Sequence, residues 1–108
     1  MSIYQASAYS FGQLGSAYLD DVSIFEPPAG KVVVSIVSLD DNTAFTKLES
    51  ADNDDSKYFS TTGANTNATN ADTLETTETF PAGIAIFGRW NKVQINGTGA
   101  AVLLYFGY

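Results

Sequence analysis

The sequence contains neither cysteine nor histidine, and each absence removes chemistry. Without cysteine there is no disulfide, no thiolate metal ligand and no thiol nucleophile. Compartment stays open, because many extracellular proteins also lack cysteine. Without histidine the commonest general base is missing, so catalysis would rest on carboxylates, Ser/Thr, Tyr or Lys. Positive charge is scarce: five Lys and Arg, scattered at 31, 47, 57, 89 and 92, stand against twelve Asp and Glu, for a net charge of −7. A phosphate-tracking surface needs clustered cations, so neither nucleic acid nor anionic membrane is expected as a partner. No apolar run approaches the about 20 residues of a membrane-spanning helix. The start, "MSIYQASAYSF", shows no basic and long apolar leader, so no secretory signal is expected.

What is present is β-forming. The 108 residues suffice for one self-supporting core. Apolar residues alternate or come in short runs, with abundant Gly, Thr, Ser and Asn between them. "KVVVSIVSL" (31–39) and "AAVLLYFGY" (100–108) are the clearest strands, and both are apolar on their two faces. Such a strand is central, or has its second face covered by something else. Strands are expected near 3–9, 22–26, 31–39, 44–48, 57–62, 74–80, 84–95 and 100–107, giving an all-β, antiparallel β-sandwich or jelly-roll-like single domain over residues 1–108. "TAFTKLESAD" (43–52) is the best helix candidate and could equally be a strand. Residues 1–10 read as an N-terminal arm or as the first strand, and 60–79 as a polar loop or edge region. "INGTGAA" reads as a hairpin turn joining the last two strands.

Pro-Ala-Gly occurs twice ahead of an apolar run, in "FEPPAGKVVVSIVSL" and "FPAGIAIFGRW". Proline presets a turn and glycine permits positive φ, so each is a compact entry into a strand, with the upstream Phe25 or Phe80 closing over the core. In the second copy Ile84 and Ile86 share one parity, and Val93 and Ile95 the other. Side chains alternate strictly, so an extra residue or bend is required between 87 and 92, with Gly88 its natural place.

Chemical motifs are few. Asp20-Asp21, Asp40-Asp41 and Asp54-Asp55 are adjacent pairs beside turns, and neighbouring acids on an extended chain point apart. Asp52, Asp54 and Ser56 begin like a calcium loop, but Lys57 and Gly63 stand where that loop needs Gly and Glu. No enzyme, metal or cofactor is therefore expected. The Asn67 and Asn96 sequons belong to the Thr- and Asn-rich composition. Trp90 and the six tyrosines suit a sugar-stacking platform, with packing at the edge of the core as the alternative for Trp90.

Taken together, "YQASAYSFGQLGSAYLDD", "FEPPAGKVVV", "FPAGIAIFGRWNKVQI" and the terminal "LLYFGY" resemble small virion structural proteins of tailed phages, cyanophages in particular, whose chains carry F-P-x-G, G-R-W and Y-F-G patterns. The resemblance covers both ends and leaves the polar middle unmatched. It implies a capsid decoration (cement) protein on the virion surface, made in the host cytoplasm. The major capsid protein would be its partner, and a homo-oligomer, with a trimer favoured, its state. A tail, neck or fibre position and a carbohydrate-binding module are the alternatives. Ile3, Tyr4, Tyr9, Phe11, Arg89 and Trp90 are the expected partner-contact residues.

Overall fold

A computed structural model describes residues 14–51, 58–62, 69–97 and 99–108. It is all-β and antiparallel. Five strands, β1 (Ser16–Leu19), β2 (Val32–Ser38), β3 (Phe45–Ser50), β4 (Ala85–Ile95) and β5 (Val102–Gly107), form one sheet in the order β1-β5-β2-β4-β3. The two strands read as apolar on both faces, β2 and β5, both have neighbours on each side.

The sheet folds over at β4. Its first half pairs with β2, from Val37↔Ala85 to Val33↔Trp90, and its second half pairs with β3, from Ser50↔Trp90 to Phe45↔Ile95. Two irregularities make this possible. Between Phe87 and Trp90, β4 carries one residue more than β2, and between Trp90 and Lys92 it carries one more than β3, at Asn91. An inserted residue bends a strand and resets its phase, so Ile86 and Trp90 on even numbers and Val93 and Ile95 on odd numbers all face one core. The phase change within 87–92 was legible in the sequence, but its place is corrected: Ile86 and Trp90 share a parity across Gly88, so the switch falls at Asn91.

Trp90 is the centre of that core, with no exposed surface. Its Nε1–H donates to the Phe59 carbonyl at 2.9 Å, and the Phe59 ring meets it edge-on at 5.3 Å. Gly88 makes room for it: a Cβ there would lie 2.6 Å from Trp90 Cζ2. The phenylalanines ahead of the two Pro-Ala-Gly turns close the core's ends. Phe25 stacks on Phe106 at 5.7 Å, and Phe80 meets Phe45 edge-on at 5.5 Å. Gly30 and Gly83 take φ of 79° and 86°, with open space around each, so glycine is needed in these turns for its backbone alone.

The strand expectations divide. The 43–52 segment is strand β3, and its helix alternative falls, since Phe45 and Leu48 complete a sheet facing the core. β1 was not anticipated: it is four residues long, too short for alternation to register. The 22–26 segment reduces to one bridge, Phe25↔Val93, and 74–80 to another, Thr43↔Phe80. Of 57–62, the described residues 58–62 form no strand, yet Thr61 exchanges hydrogen bonds with Leu48 along the outer edge of β3. The expected hairpin of the last two strands is corrected. β4 and β5 are separated by β2, so this turn carries the chain across the sheet instead of pairing its last two strands. The expected strand at 3–9 lies outside the described residues, as does the arm.

Replacing Gly88 with Ala should cost about 1–3 kcal/mol in denaturant unfolding, the usual penalty of overpacking. The loss should shrink in a Trp90→Phe background, which removes the atoms that the new methyl strikes.

Candidate functional site

The register assigns the paired residues of the first half-sheet to one of two faces. Val33, Ile36, Leu104 and Val102 point into the core with Ala17 and Leu19. On the outer face one row across four strands is Tyr18, Leu103, Val37 and Ala85. The next is Ser16, Tyr105, Ser35 and Phe87. Neither row contains a charge. Phe87 is 63 % exposed and Tyr18 60 %, while Leu103, Tyr105 and Val37 are half-buried.

The second half-sheet shows what an ordinary outer face of this protein looks like. There Lys47 lies opposite Gln94, and Glu49 opposite Lys92. Polar residues outside and apolar residues inside is the normal alternation of a sheet with one wet face. The first half departs from it over four adjacent strands. Scattered exposed apolar residues need no explanation, but a contiguous patch marks a contact surface.

The sequence-derived candidates fall elsewhere. Ile3, Tyr4, Tyr9 and Phe11 lie outside the described residues. Trp90 is a correction: enclosed and hydrogen-bonded to Phe59, it offers a partner nothing and cannot stack on a sugar. Arg89 is half-buried, its Nε shielded from solvent and its carbonyl accepting the Ala51 N–H at 2.9 Å. Bulged between Phe87 and Trp90, it borders the apolar rows. Tyr18, Leu103, Tyr105 and Phe87 were missed as a site. Their signal was the two-faced apolarity of 31–39 and 100–108, which named the strands without the register that gathers them.

Among the described residues no other arrangement competes. A crevice of about 150 Å³ between Ile36, Ser38, Phe45, Phe80, Ile84 and Ile86 is too narrow for a water-sized guest. Among the described residues no three acidic side chains gather as a metal site would require. Asp21 instead accepts the Ser23 N–H at 2.9 Å as a turn residue, and Asp41 accepts the Ala82 N–H at 3.0 Å, which ties it to the second Pro-Ala-Gly turn. The start of the calcium-like loop, Asp52 to Lys57, lies outside the described residues. No protein-family model, no curated protein and no solved structure matches this chain.

The single tryptophan reports on this arrangement. Its emission should be blue-shifted and resist iodide quenching in the folded protein, and adding mono- or oligosaccharides should leave it unchanged. A saccharide-dependent shift would return Trp90 to a binding role.

Proposed function

We propose that this chain is a non-enzymatic virion structural protein, a capsid decoration subunit that docks its apolar outer sheet face on the outside of a major capsid lattice and stabilises it. The observation that carries this reading is the uncharged surface of Tyr18, Leu103, Val37, Tyr105 and Phe87, in a chain whose second half-sheet has a polar outer face. The resemblance of both chain ends to small phage virion proteins supplies the kind of partner.

Size supports a lattice over a single mate. Four strands spaced about 4.8 Å apart make a patch of only a few hundred Å². A stable pairwise complex buries about 800 Å² on each partner. Weak single contacts hold when many are made on one particle, because each bound subunit or oligomer raises the effective concentration of its remaining contacts. An acidic net charge favours solubility before assembly, as such a subunit requires. The carbohydrate-binding alternative loses its platform with Trp90 enclosed.

Phe87→Ser removes the most exposed ring of the patch without touching the core. The variant should fold within about 0.5 kcal/mol of wild type, as surface changes do. Its binding to capsids stripped of decoration should fall about tenfold or more, measured by co-sedimentation. Wild-type attachment by folded Phe87→Ser would overturn the reading.

A further inference from the structure

The two edges of the sheet are treated differently. Along β3 the Leu48 N–H donates to Thr61 Oγ1 at 2.9 Å, and the Leu48 carbonyl accepts the Thr61 N–H at 2.8 Å, so that edge is covered. At the other edge lies β1. The Phe106 N–H donates to the Gly15 carbonyl at 2.9 Å, which sets the phase of the β1–β5 ladder. Gly15, Ala17 and Leu19 therefore face β5, while the N–H and C=O groups of Ser16 and Tyr18 point outward. Among the described residues nothing pairs with them. Short length is the strand's one edge protection: Ser16–Leu19 contains no charge, no proline and no bulge.

The geometry points to β1 as a pairing edge for a second copy of this chain, antiparallel about a two-fold axis. The outward groups fix the register. Ser16 of one copy faces Tyr18 of the other and vice versa, giving four backbone hydrogen bonds, with Ala17 opposite Ala17 between them. Size and charge agree with that register. Each Tyr18 ring meets a serine, and the close non-hydrogen-bonded pair is alanine on alanine. Asp20 and Asp21 of the two copies fall at opposite ends of the paired strands, so like charges do not meet.

Directly opposed residues of an antiparallel pair share a face, so the apolar rows of both copies lie on the same side of one continuous sheet. Pairing thus doubles the docking patch without covering it. Edge-to-edge pairing of this kind closes at two copies, in place of the expected trimer. Four hydrogen bonds and a small contact area make the association weak, and its signature is dependence on concentration.

Hydrogen exchange on the full chain, dilute and concentrated, tests this without altering the protein. The Ser16 and Tyr18 amides should gain about tenfold protection or more with concentration, while sedimentation moves from monomer toward dimer. Ser16→Pro removes one outward N–H and leaves the β5 ladder intact, so it should stay folded and remain monomeric at every concentration. Protection that is independent of concentration, whether absent or already complete as if another segment of the same chain held the edge, would overturn the pairing. So would a dimer that survives Ser16→Pro. The outcome is separate from capsid docking, because a monomeric Ser16→Pro keeps Phe87 and its neighbours.

Discussion

One indole lying where a side chain is missing makes the rest of this fold possible. Trp90 occupies the space over Gly88, hydrogen-bonds the chain at Phe59 and sits where β4 leaves β2 for β3. A strand of eleven residues without inserted residues would present one parity to one side throughout. With them, β4 serves two half-sheets that close on a shared core of Val33, Leu48, Trp90, Val93 and Leu104. The order of the sheet follows: β5 must lie beyond β2, and the last turn must cross to reach it.

That closure has a consequence for the surface. Once Val33, Ile36, Val102 and Leu104 are committed to the core, the alternate residues of β2 and β5 have nowhere to go but outward, and they are Val37, Leu103 and Tyr105. Folding alone would favour polar residues there, as at Lys47, Glu49 and Lys92 on the other half. The apolar choice is a local conflict that the proposed docking would resolve by burying it against another molecule. Conflicts of this kind are where function is usually found.

How much of this the sequence disclosed depended on the range of each interaction. The two glycine turns, the strands they feed and the phase change inside 84–95 follow from neighbours in the chain, and all were readable. The partners of those strands were not. Nothing local says that residues 96–101 cross over β2, that Thr61 lies along Leu48, or that Phe87 and Tyr105 flank one serine. Trp90 misled because its type suits both a core and a platform, and only the missing side chain at Gly88, two residues earlier, marked the core. β1 escaped because four residues carry too little pattern.

The central claim is that the outer face of β1, β5, β2 and β4 exists to be covered by another molecule. Hydroxyl-radical footprinting of the free protein and of the protein on purified particles tests it most directly. The account predicts strong labelling of Phe87 and Tyr18 in the free chain and their protection on the particle, with Trp90 unlabelled in both. Equal labelling of Phe87 and Tyr18 in the two states would contradict it.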